Sequence, residues 1–158
     1  MDNQALYDFI VRAKTATYVG SGEHAPACRP GSHDLKFEEV DWSYLDSYFG
    51  GRDFIGEEVV YYQGIPAWAM NYYGSILRAD LITPAQAGEV IKTSLSKMYS
   101  EGRFLGSFEY RHEGFIYFDS YSIYGHICHG CYTRLIDCQR HQMGCRFTFR
   151  HTDWSVQF

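Results

Sequence analysis

The spacing of apolar residues switches along this chain between a helical period of about 3.6 and a strand period of about 2. From Gln4 to Lys14, the residues Ala5, Leu6, Phe9, Ile10 and Ala13 fall at helical spacing, and Asp2 or Asn3 is placed to cap that helix. The helical signal stops at Thr15, and Gly20-Ser21-Gly22 and the stretch from Pro26 to Ser32 read as loops. Alternation then predicts strands over Asp34–Glu39, Trp42–Phe49, Phe54–Tyr62 and Pro66–Tyr73. Gly50-Gly51 and Gln63-Gly64 are the turns, the second short enough for a hairpin. Thr83-Pro84 with Gln86 marks a second helix start, an N-cap followed by proline and a capping-box partner. Ala87, Val90, Ile91, Leu95 and Met98 form its apolar stripe, and Gly102 is its stop. Strand patterns return over Ser107–His112, Phe115–Tyr121, His126–Cys138 and Cys145–Arg150.

Helix and four strands therefore occur twice. Tyr44-Leu45-Asp46-Ser47-Tyr48 reappears as Tyr117-Phe118-Asp119-Ser120-Tyr121, a shift of 73. At that shift Leu35 meets Phe108, Phe37 meets Tyr110, Trp42 meets Phe115, and Asp41 meets the turn residue Gly114. The expected fold is α+β: two helices packed on a curved, mainly antiparallel sheet built from two α-β4 pseudo-repeats. One domain spans 1–158, with halves near 4–74 and 83–150, and a groove or pocket between the halves is expected.

Composition narrows the function classes. The 158 residues suit one domain. Lys and Arg total 14, scattered against a net charge of −5, which argues against nucleic-acid binding by this chain. No run of 18 apolar residues offers a membrane span. The start Met1-Asp2-Asn3-Gln4 has no signal-peptide pattern, so the cytoplasm is expected. The unusual share is aromatic, with 14 tyrosines, 11 phenylalanines and 3 tryptophans. Tyrosine suits half-exposed strand faces, where the ring packs and the hydroxyl meets water or a partner.

Strand parity locates candidate chemistry. Trp42, Tyr44, Asp46 and Tyr48 share one face, so a carboxylate stands among rings, either half-solvated, tied to a buried donor, or lining an aromatic pocket. Glu57 and Glu58 point to opposite faces and are not a paired acid and base; one of them could turn inward, toward Arg29 or a tyrosine. Trp68, Met70 and Tyr72 form a stripe typical of a core, while Asn71 on the other face needs partners for its amide. Arg29 in Arg29-Pro30-Gly31-Ser32 could present a guanidinium to an anion, though a plain turn is the simpler reading. Cys128-His129-Gly130-Cys131 lies near His126, Cys138, His141 and Cys145, but the spacing fits no standard zinc module and no helix follows Cys131. No metal or cofactor is expected, and the five cysteines read as free thiols.

Four motifs carry a resemblance. Arg29-Pro30-Gly31-Ser32-His33-Asp34-Leu35, Tyr44-Leu45-Asp46-Ser47-Tyr48-Phe49-Gly50-Gly51, Phe54-Ile55-Gly56-Glu57-Glu58-Val59-Val60-Tyr61 and Pro66-Ala67-Trp68-Ala69-Met70-Asn71-Tyr72-Tyr73-Gly74 occur in order. Over roughly 4–120 the chain resembles the prokaryotic domain of unknown function family 5680. The resemblance implies a sensing or binding module rather than a reaction. The second half departs from the pattern, because Gly130, Tyr132 and Arg134 stand where Phe, Gly and Glu are expected. The resulting expectation is a non-enzymatic ligand-binding or sensory module with a small-molecule site at Arg29, Asp46, Glu58, Trp68 and Asn71. The alternatives are a small enzyme using Asp46 or Glu58, and an interaction module that forms a homodimer.

Overall fold

The computed structural model describes residues 2–20, 24–105, 108–123, 129–138 and 143–152, with side chains as far as Asp119. Helix α1 runs Asn3–Lys14, with the Asp2 side chain accepting from the Gln4 N–H. Its stripe of Leu6, Phe9, Ile10 and Ala13 is buried, as its spacing predicts. The helix does not end at Lys14. It widens into a π turn over Thr15–Val19. Thr15 and Thr17 each donate a hydroxyl to the carbonyl one turn back, at 2.7 Å, the back-bonding by which β-branched hydroxyl residues distort a helix. Helix α2 runs Pro84–Ser100 and carries the full capping box between Thr83 and Gln86. Ala87, Val90, Ile91, Leu95 and Met98 are its buried side.

Among the described residues nine strands form one antiparallel sheet in the order β1-β2-β3-β4-β5-β9-β8-β7-β6. The first five are β1 His24–Ala25, β2 His33–Glu39, β3 Trp42–Gly50, β4 Phe54–Tyr62 and β5 Ile65–Ile76. The others are β6 Phe108–His112, β7 Phe115–Ile123, β8 His129–Cys138 and β9 Met143–Thr152. β1 and β6 are the edges, so the sheet stays open, and β5 pairs with β9 where the two strand sets meet. Gln63 and Gly64 both take positive φ, as do Glu113 and Gly114, the backbone that a two-residue primed hairpin turn demands.

The registers of the two strand sets match. Leu35 stands opposite Asp46 and Phe37 opposite Tyr44 in β2/β3. At the shift of 73 these become Phe108 opposite Asp119 and Tyr110 opposite Tyr117 in β6/β7. Both helices cover the sheet face that carries Tyr44, Val60, Trp68, Met70 and Tyr72, and these residues form the core with α1, α2 and Phe104. Phe9 stacks on Trp42 at 5.3 Å, and Trp68 meets Phe104 edge-on at 5.8 Å. Among the described residues no helix is long and apolar enough to cross a membrane.

Candidate functional site

Asp46 lies on the helix-covered face of β3 and is 3% exposed. Strand register places Glu58 of β4 directly opposite it, so two carboxyl groups share one buried spot. Two arrangements make this tolerable. Lys14, at the end of α1, reaches Glu58 in a buried ion pair. Its ammonium also lies about 6 Å from the Trp68 and Phe104 rings (6.0 and 5.9 Å). Tyr72 of β5 donates its hydroxyl to Asp46 Oδ1 at 2.6 Å, and Oδ2 accepts no hydrogen bond among the described residues.

The Tyr72 bond spans a strand. Tyr72 stands opposite Gly56 of β4, and Gly56 stands opposite Tyr48 of β3. The Tyr72 ring therefore crosses over Gly56 to reach β3. A Cβ at Gly56 would overlap the ring's Cζ and hydroxyl and would sit 2.7 Å from Tyr48 Cβ. Glycine is required here for close approach rather than for a turn.

Burial raises the Asp46 carboxyl, the negative charge of Glu58 raises it further, and the Tyr72 hydrogen bond and the positive charge of Lys14 only partly oppose this; it is pushed up to about 7. Burial and the same carboxylates drive the phenols of Tyr44 and Tyr72 far up, so both stay protonated. Burial and Asp46 raise Tyr48 as well. Asp46 is thus a carboxyl poised near neutrality among fixed hydroxyls.

Asp46 also opens onto a cavity of about 260 Å³. Tyr18 from the π turn, Tyr48, Phe54, Tyr72 and Ile76 from the sheet, and Pro84, Ala87, Gly88 and Ile91 from the start of α2 line it. Gly50, Gly51 and Arg52 form its rim at the β3–β4 turn.

Of the five residues expected to share a site, the structure brings together Asp46, Glu58 and Trp68. Only Asp46 lines the cavity; Glu58 lies behind it, and Trp68 is core, 2% exposed. Arg29 and Asn71 are set apart. Arg29 is on the opposite sheet face, where its guanidinium donates to the Ser47 carbonyl at 3.1 Å and to Ser47 Oγ at 2.8 Å, and lies over Phe49 at 4.8 Å. The cause is parity, since Ser47 follows Asp46 and faces the other way. Asn71 falls between inward Met70 and Tyr72 and is exposed, in register with exposed Glu57.

Arg29 belongs instead to a structural cluster around Asp34. That carboxylate accepts the Cys28 N–H at 2.8 Å and the Ser47 hydroxyl at 2.8 Å. Burial would raise Asp34, but hydrogen bonds from Cys28, Ser32 and Ser47 outweigh it and hold the carboxyl down at about 2.

Lys14, Tyr18, Arg52 and Gly56 belong to the site without having been among the expected residues. Lys14 had a signal, because it follows Ile10 by four positions and continues the buried stripe. Gly56 had one too, as a glycine at an inward position inside a strand. In the cysteine-rich end, His126, Cys128 and His141 lie outside the described residues, as do the side chains of Cys131, Cys138 and Cys145.

The family model described as Domain of unknown function (DUF5680) matches residues 46–139, more than half of the chain, and the chain belongs to that family. The match opens on Asp46 and covers Gly56, Glu58 and Tyr72. No curated protein and no solved structure matches the chain.

Proposed function

We propose that this member of the DUF5680 family is a ligand-binding or sensory module whose small-molecule site is the Asp46 cavity. One observation carries the proposal: a cavity of about 260 Å³, walled mainly by rings and aliphatic groups, holds one carboxyl, and that carboxyl keeps an oxygen uncommitted. A concave, largely apolar space with few, fixed polar groups is the usual form of a small-molecule site. Its position supports the same reading, because it lies where sheet, π turn and α2 meet, so a ligand would touch all three. The matching hairpin registers support reading the chain as two pseudo-repeat halves. The exposed free thiol of Cys28 is in keeping with a reducing, cytoplasmic setting.

A thermal-shift screen of the full chain against metabolites tests the site, since a ligand held only by the folded state raises its stability. Gly88→Phe is the control, because a side chain there enters open space on the cavity wall. Compounds that stabilise the wild type and not Gly88→Phe support the proposal; equal shifts in both would overturn it.

A second reading, an acid–base enzyme, draws on Asp46 being pushed up to about 7, where a general acid or base works best. Turnover of a bound compound, lost in Asp46→Asn, would favour it over simple binding.

A further inference from the structure

We infer that the ligand of this cavity is a compact zwitterion of the amino-acid type, with its ammonium at Asp46 and its anionic group at Arg52. The inference rests on the pocket reading above and goes on to the chemistry of the occupant.

The two ends of the cavity differ in charge. At the inner end Asp46 is almost fully buried, with Oδ1 held by Tyr72 and Oδ2 left to accept. A carboxyl oxygen left to accept at the wall of a largely apolar cavity takes its donor from the occupant, and an ammonium supplies both a donor and the opposite charge. Lys14 does not fill this role, because its ammonium is drawn to Glu58. At the rim, Arg52 is exposed and has no hydrogen bond or ion pair among the described residues. This sets it apart from Arg12, which is bound to Glu39, and Arg29, which is bound to Ser47. A free guanidinium at a cavity mouth is suited to a carboxylate, which it can grip through two parallel N–H donors.

Other ligand classes fit less of this. A neutral ligand leaves both ends unmatched. A simple anion that answers Arg52 meets the Asp46 carboxylate inside, and a simple cation that answers Asp46 meets Arg52 on entry. The rings of Tyr48, Phe54 and Tyr72 line the space between, where an ammonium gains from aromatic faces and an aliphatic stem from apolar contact.

The test uses the full chain, with affinity read by calorimetry and stability by thermal shift. The zwitterionic probes are L-leucine, γ-aminobutyrate and ε-aminocaproate, which span different charge separations. Each is measured beside an amine and a carboxylate of matching carbon skeleton. At least one zwitterion is expected to bind tenfold or more tighter than either counterpart. Asp46→Asn should remove the amine's contribution. Arg52→Ala, at an exposed position that cannot disturb the core, should reduce the zwitterion to the level of its amine. A carboxylate or uncharged counterpart binding as tightly as the zwitterion would overturn the inference, as would zwitterion binding indifferent to both substitutions. If no zwitterion binds but an uncharged metabolite stabilises the wild type and not Gly88→Phe, the inference fails and the pocket stands. If no compound separates wild type from Gly88→Phe, both fail.

Discussion

Replacing Gly56 with alanine tests the strand-crossing tyrosine most directly, because the ordinary effect of that change has the opposite sign. An unstrained Gly→Ala substitution stabilises by about 0.4–1 kcal/mol, since the unfolded chain loses freedom. Gly56 has no positive φ, so backbone strain does not oppose the change. What opposes it is space. The new methyl would overlap the Tyr72 ring and press on Tyr48 Cβ at 2.7 Å, and that second atom is anchored to the backbone of β3. The ring must swing out of a packed core. Overpacking of this kind costs ~1–3 kcal/mol. Displacing the ring also breaks the 2.6 Å bond to Asp46 and strands a buried carboxyl, which costs ~1–3 kcal/mol more. The net expectation is a loss of about 2–5 kcal/mol, a fall in Tm on the order of 10 °C for a chain of this size.

Urea unfolding followed by tryptophan fluorescence measures the loss. A cycle with Tyr72→Ala separates mechanism from general damage. Tyr72→Ala removes the ring that the methyl strikes and leaves only the Tyr48 contact, so adding Gly56→Ala to it should cost less than adding it to the wild type. Additive costs, or a Gly56→Ala protein as stable as the wild type, would refute the close-approach account.

Lys14→Met should destabilise by about 3–5 kcal/mol, because it removes one partner of a buried ion pair, and Lys14→Met with Glu58→Gln should recover much of that loss in the same unfolding assay. The two buried aspartates should give opposite pH slopes. Asp46, raised to about 7, lends stability that is full at low pH and lost as pH rises through 7. Unfolding at pH 5 and pH 8 should therefore show a slope that Asp46→Asn flattens. Asp34, lowered to about 2, lends roughly 2–3 kcal/mol that is present above pH 4 and lost as pH falls toward 2. Acid titration of Asp34→Asn should lack that step.

Both helices were legible because cap and stripe agree at each, with a glycine stop at α2, and the hairpins because Gln63-Gly64 and Glu113-Gly114 carry turn chemistry between alternating runs. The α+β layout follows from those elements. Legibility ended where partners come from other strands. Alternation shows that Asp46 and Ser47 face apart, and Met70 and Asn71 likewise, so one site could not hold both Trp68 and Asn71. It does not show which face the helices cover, and that choice sent Arg29 and Asn71 away from the cavity. The π turn was missed because Thr15 and Thr17 look like strand formers, while their hydroxyls here back-bond the helix and extend it. Tyr18 enters the cavity wall through that turn.

The second strand set shows which parts of the site are specific to the first. In β3/β4 the cross-strand pairs are Asp46–Glu58, Tyr48–Gly56 and Gly50–Phe54. The corresponding pairs in β7/β8 are Asp119–Arg134, Tyr121–Tyr132 and Ile123–Gly130. The carboxylate is kept, and Asp119 is as buried as Asp46 at 3% exposed. The glycine that admits the crossing ring is a tyrosine in the second set, and a basic residue takes the place in register that Glu58 holds. Tyr72 itself pairs across the β5/β9 junction with Phe149, which has no hydroxyl to give. A backbone that repeats its register therefore does not repeat the constellation of glycine, carboxylate pair and crossing phenol. Asp46→Asn should then reduce ligand-induced stabilisation, whereas Asp119→Asn should change stability and leave the ligand shift in place. Equal loss of the ligand shift in both variants would mean that the site extends into the second half.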